Sequence, residues 1–181
     1  AAQWYTLRVD KGNHPPQPVM DEVYLSIRTT GDLFTRYKLI LPEIVTIRVT
    51  TTADSYARAL SYYLKASPDQ ASQLAKLSAG VSTHAYPLVI LNGQYANQFV
   101  STLPHEMFHQ AQRQLATINT PTWLTEGSAE LFEKLALHQA NRGVYSQYIR
   151  GVKQRLRQAG TLPSVRQVVS NWDALFKQGQ G

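Results

Sequence analysis

The sequence predicts an α+β fold in a single domain, residues 1–181, with strands confined to the first half and a mainly helical second half. Three observations predict it. Ile44–Thr51 is dense in β-branched residues, which favour strands. Trp4–Val9 and His84–Leu91 are two further short apolar segments of strand length. From about Ser101 onward the apolar spacing is helical nearly to the end, punctuated by Pro121, Gly143 and Gly160.

Each element has a local reason. In Trp4–Val9, Tyr5, Leu7 and Val9 share one side of a first strand. His14–Pro18 carries three prolines and reads as a stiff connection. Val19, Val23, Ile27, Leu33, Phe34 and Tyr37 then predict a helix, broken around Gly31. Pro42 precedes the strand Ile44–Thr51, and Asp54–Leu64 reads as a helix. Ser67-Pro68-Asp69-Gln70 is a helix start: a Ser cap, Pro in the first turn, and Gln three residues after the cap. Gly80 is expected to end that helix. His84–Leu91 follows as a strand, closed by a turn at Asn92-Gly93. The sheet-containing part thus spans about 1–92 and the helical part about 97–181.

Composition limits what the chain can be. Hydrophobic residues at 43% and charged residues at 17% exclude global disorder. The longest apolar runs, such as Pro87–Leu91, fall far short of the ~20 residues that cross a bilayer. There is no cysteine, so disulfides and thiolate metal sites are excluded. The start Ala1-Ala2-Gln3 would suit an end left by cleavage after small residues, or a boundary within a longer chain. No signal peptide opens the sequence, and a secreted or periplasmic location is the expectation. The net charge of +6 is concentrated late: from Lys134 to Lys177 there are eight Lys or Arg against one acid, Asp173. Such a tail could meet an anionic surface, although a solvated helical face is the commoner meaning. The cations are not interleaved with stacking aromatics, so nucleic acid is not an expected partner.

His105-Glu106-Met107-Phe108-His109 is the H-E-x-x-H pattern of metallopeptidase helices. Residues four apart on an α-helix lie about 40° apart around its axis, so both imidazoles reach one ion. Glu106 is rotated about 100° from His105, beside the ion and outside the ligand pair. A carboxylate there can take a proton from metal-bound water and later hand it to a departing amine. With five His in 181 residues, a chance match is rare. Pro104 places the helix start around Ser101–Leu103, with a kinked, longer helix from about Ala96 as the alternative.

Two imidazoles need a third ligand. Metzincins place Gly three and His six residues after the second His, where this chain has Gln112 and Leu115. With thiolates also absent, a carboxylate on a following helix remains. Trp123-Leu124-Thr125-Glu126-Gly127-Ser128-Ala129 resembles the W-L-x-E-G-x-A signature of gluzincins, the peptidase MA-like group that includes thermolysin and related aminopeptidases. The resemblance covers roughly Ser101–Leu137. It implies a zincin-like fold, one zinc ion, and Glu126 as third ligand with His105 and His109. Sixteen residues, 110–125, separate His109 from Glu126, slightly fewer than in the aminopeptidases, a difference that falls in the turn at Thr120-Pro121. The resemblance to the thermolysin branch also implies that Glu130 hydrogen-bonds a zinc-ligating His. The bland reading of Glu130 is a surface carboxylate.

Other parts of the family pattern are less complete. An oxyanion donor downstream of the glutamate ligand is expected, and Tyr145, Tyr148 and His138 are the candidates. Zincins commonly bind peptide along an exposed sheet edge, for which Pro87–Leu91 is the candidate because it is the last strand before the motif. The Gly-x-Met-Glu-Asn segment that holds a free amine in the aminopeptidases has only Gly93-Gln94-Tyr95-Ala96-Asn97 as counterpart, without the acid. The expectation is therefore a zinc peptidase acting on peptides or proteins, with an endopeptidase favoured. Its rivals are a zincin-like binding module without turnover and a structural protein whose basic helix Tyr145–Ala159 docks on an anionic surface. His14 and His84 are expected to be ordinary surface or core residues.

Overall fold

The computed structural model describes residues 3–10, 14–41, 43–83, 85–115 and 120–160. Strand β1 (Tyr5–Val9) leads to helix α1 (Gln17–Tyr37), then β2 (Val45–Thr50), α2 (Ala53–Leu64) and α3 (Pro68–Leu77). A short strand β3 (Gly80–Ser82) precedes β4 (Leu88–Asn92). A 3₁₀ turn (Gly93–Gln98) then runs into α4 (Phe99–Leu115), followed by α5 (Thr122–Gln139) and α6 (Tyr145–Gln158). The fold is α+β around one mixed sheet of four strands, ordered β1-β2-β4-β3.

Strands β1, β2 and β4 are parallel, with Leu7 opposite Ile47 and Ile47 opposite Val89. β3 turns back antiparallel along β4, with Val81 opposite Ile90. The side-chain period of two sends Val45, Ile47, Val49, Val89 and Leu91 to one face, against α1, α4 and α5. Leu88 and Ile90 point to the other face, against α2 and α3. β4 is buried along its whole length because it has a neighbour on each side and helices on both faces.

Several local expectations hold. In β1, Tyr5, Leu7 and Val9 share the inward side. The start of α3 is a capping box: the Gln70 amide donates to Ser67 Oγ at 3.3 Å, and the Ser67 amide donates to Gln70 Oε1 at 3.1 Å. Asn92 caps the 3₁₀ turn, its Oδ1 accepting from the Gln94 amide at 3.3 Å.

Other expectations are corrected. α1 continues unbroken through Gly31, whose place is explained by packing: a Cβ there would lie 3.1 Å from Trp4 Nε1. Gly80 does not end α3, which stops at Leu77; it opens β3 instead. A Cβ on Gly80 would meet Thr102 Cγ2 at 2.7 Å, so the glycine lets β3 lie directly against α4. α4 begins at Phe99 rather than around Ser101–Leu103, with Pro104 in its sixth position and a 3₁₀ turn ahead of it. That is nearer the longer alternative. Pro87–Leu91 is not an edge, because β4 is paired on both sides and the edge on this flank is β3. Pro42 and His84 lie outside the described residues, as do Arg166, Asp173 and Lys177. Among the described residues no helix is long and apolar enough to cross a membrane.

Candidate metal centre

The rotation of α4 is set by its apolar stripe. Phe99, Leu103, Met107 and Ala111 recur every four residues and are buried against the sheet and α1. His105 and His109 each stand two residues from Met107, about 160° around the helix, and so face away from the core. Glu106 stands about 100° from Met107, on the flank beside β3. α5 packs along α4, anchored by Ala129, Phe132 and Ala136. This pairing brings Glu126, in the first turns of α5, over the two imidazoles.

Three donor atoms converge. His105 Nε2 and His109 Nε2 are 3.1 Å apart, and Glu126 Oε2 is 3.6 Å from the first and 3.5 Å from the second. A tetrahedral zinc ion with bonds near 2.05 Å separates its ligand atoms by about 3.3 Å. Among the described residues His105, His109 and Glu126 form the group of His and acidic side chains able to hold one ion. Two imidazoles and one carboxylate, with a solvent-facing side left open, is the donor set of a catalytic zinc site. The residues fit the metal that the motif implies.

Charge agrees with that fit. Contact with His105 and His109 holds the Glu126 carboxyl well below the usual carboxylate range, despite some burial. Burial pulls the His105 ring down, but Glu126 and Glu133 outweigh it and hold the ring up at about 10. Burial likewise opposes, and Glu126 and Gln112 produce, an upward shift at His109. Glu126 thus faces both imidazoles as a carboxylate, 3.5–3.6 Å from their Nε2 atoms.

Neighbouring side chains fix the imidazoles. Gln112 Nε2 donates to the Thr125 carbonyl at 3.1 Å, which turns its Oε1 toward His109 Nδ1 at 2.9 Å. His109 therefore donates from Nδ1 and offers the lone pair of Nε2 to an ion. The same glutamine ties α4 to the turn of α5 that carries Glu126.

His105 Nδ1 is buried without a hydrogen bond, and Glu133 Oε2 is its neighbour at 3.6 Å. This corrects the expectation for Glu130. Running forward along α5 retraces α4 from His109 to His105, and residue 133 lies only about 20° around the helix from residue 126. Residue 130 lies about 40° from it on the opposite side, toward α6. There Glu130 is exposed and accepts from the Tyr148 hydroxyl at 3.4 Å. Glu133→Gln is expected to weaken zinc affinity by about tenfold or more, whereas Glu130→Gln leaves it unchanged. Competition against a fluorescent chelator reads both; equal effects would reinstate Glu130.

Glu106 is pinned by a residue that the sequence did not single out. Ser82 Oγ, on edge strand β3, donates to Glu106 Oε2 at 2.6 Å. Burial pushes the Glu106 carboxyl above the usual range, against the pull of Ser82 and the two imidazoles. The carboxylate, both imidazoles and Glu126 line one open cleft of about 310 Å³, with Val81, Ser82, Gln112, Arg113 and Thr125.

The expected oxyanion donors are not brought there. Tyr148 is held at Glu130 and lies under Lys134 Nζ, 5.8 Å from its ring centre. Tyr145 lies tilted beside Tyr148, with ring centres 6.4 Å apart, and His138 Nδ1 meets the Gly143 carbonyl at 3.3 Å. None of the three lines the cleft among the described residues. Of the late cations, Lys134 pairs with Glu133 at 2.7 Å and Arg142 grips Glu22 with two bonds of 2.5 and 2.7 Å. Arg150, Lys153, Arg155 and Arg157 sit on α6, which buries no residue.

No family model matches the chain, and no curated protein or solved structure does. The functional reading therefore stands on residues and geometry.

Proposed function

We propose that this chain is a zincin-like, zinc-dependent peptidase, with one ion held by His105, His109 and Glu126. The convergence of three donor atoms at 3.1–3.6 Å, beside a carboxylate pinned by Ser82, carries the reading. A zinc ion there would polarise a carbonyl and lower the pKa of its water toward ~7. Glu106 then takes the water's proton and returns it to the leaving amine. Ser82 holds that carboxylate on the cleft side, and Gln112 and Glu133 keep the two rings aimed.

The peptide lies along β3, an edge strand of the sheet among the described residues, where backbone amides can add a further strand. Ser82 places this edge next to Glu106, which supports the assignment. The absence of an acid in Gly93–Asn97 favours an endopeptidase over an aminopeptidase. A secreted or periplasmic setting accords with this activity.

Incubation of the zinc-loaded chain with a mixed peptide library is the direct test. New peptide termini should appear, vanish with a chelator, and return with zinc. Cleavage that ignores the chelator, or none under any metal, would remove the peptidase reading.

One observation supports a second reading. Tyr145, Tyr148 and His138 stand away from the cleft, as in a module that keeps its metal and binds peptide without cutting it. Zinc-dependent peptide binding without new termini is its signature.

A further inference from the structure

Arg113 lines the metal cleft but takes no part in the steps above. It follows His109 by four residues, so it lies about 40° around and 6 Å along α4 from that ligand. Its position is built rather than incidental. Nη1 donates to Gln110 Oε1 at 2.9 Å, and Gln110 is only 1% exposed. Gln110 Nε2 in turn donates to the Thr83 carbonyl at 2.9 Å. The guanidinium is therefore tied to the chain just past β3, the edge along which a peptide would lie.

Among the described residues its other ion pair is weak. Nη2 stands 3.8 Å from Glu43 Oε1, and the Glu43 side chain is 53% exposed. An ion pair that long and that wet contributes little, so the outer edge of the fork can exchange Glu43 for a better acceptor. The Arg113 side chain itself is 20% exposed, so the exchange would take place in a partly desolvated setting, where a charge-assisted bond is stronger. The planar donors of a guanidinium match a carboxylate with two parallel bonds.

We infer that Arg113 recognises a carboxylate on the substrate, at the end of the cleft beyond His109. The inference rests on the peptidase reading. Two sources share this chemistry: the free C-terminus of a short peptide, and an Asp or Glu side chain in a longer one. The arginine is then a specificity residue, acting on binding rather than on the reacting atoms.

The test uses the zinc-loaded full chain and small hydroxamates that bind zinc. Acetohydroxamate reports the metal alone. Monohydroxamates of succinate, glutarate and adipate add a carboxylate at three reaches, each compared with its neutral amide. At least one acid is expected to bind about tenfold or more tighter than its amide. Arg113→Gln should abolish that ratio while leaving acetohydroxamate unchanged, and Arg113→Lys should restore part of it. Glu43→Gln, which removes only the competing acid, should keep or enlarge the ratio.

Peptide pairs then separate the sources. A KM advantage for the C-terminal acid over the amide marks the chain end, and one for internal Asp over Asn marks a side chain. Either advantage should disappear in Arg113→Gln with kcat retained. A wild-type acid-to-amide ratio near one at every length overturns the inference, even if Arg113→Gln cannot be folded. An equal fall for acid and amide peptides in that variant also overturns it. Failure of acetohydroxamate to bind would remove the zinc reading and this inference together, whereas its binding with no acid preference removes the inference alone.

Discussion

Replacing Glu106 with Gln is expected to leave one zinc ion per chain and to lower turnover by about 10²–10⁴-fold, the usual contribution of a positioned acid–base group. The side chain lies about 100° around α4 from His105, so it can flank the ion without being a ligand. Glutamine keeps the size of the group and can still accept from Ser82, whose hydroxyl meets Glu106 at 2.6 Å in the parent. It cannot take a proton from water. Elemental analysis with single-turnover cleavage checks both halves of the expectation. Loss of zinc would make Glu106 a ligand, and retained turnover in zinc-loaded protein would end its role as base.

Glu126→Ala has the opposite signature: both metal and turnover are expected to go. Removing this carboxylate leaves two imidazoles 3.1 Å apart without the anion that stands 3.5 and 3.6 Å from them. His109→Ala should behave in the same way. Stability offers an independent reading, because an ion that binds only the folded chain stabilises it by RT ln(1 + [L]/Kd), about 4 kcal/mol at a thousandfold excess over Kd. Zinc should therefore raise the Tm of the parent and of Glu106→Gln, but not of Glu126→Ala. A full zinc-dependent rise in Glu126→Ala would show that the ion is held elsewhere. Metal analysis of the parent also decides which element is bound, since two His and one carboxylate can serve non-haem iron as well as zinc.

Much of the local structure was legible because its causes are local. The Ser67–Gln70 box closes within one helical turn, and it forms as its spelling requires. The pairing of His105 with His109 follows from the helical repeat alone. Glu126 was reached through resemblance, and the structure brings it to the two imidazoles. Glu130 was misplaced because position four along a helix states which face a residue shares, not which neighbouring helix that face meets. Glu133 wins the place beside His105 because α5 runs back along α4. Ser82 gave no signal. Its strand was not foreseen, and its meeting with Glu106 spans 24 positions of sequence. The sequence distinguishes Gln112 only as a residue that is not Gly, although it ties His109 to the turn of α5 that carries Glu126.

The sequence by itself determined which side chains could meet an ion, because the period of one helix sets the angle between His105, Glu106 and His109 wherever that helix lies. Only the tertiary structure decided what surrounds them: the edge strand β3 at Glu106, Glu133 at His105, and Arg113 tied through Gln110 to the chain past β3. These neighbours depend on strand order and on how two helices pack, which are set by burial summed over the whole core rather than by any short stretch of chain.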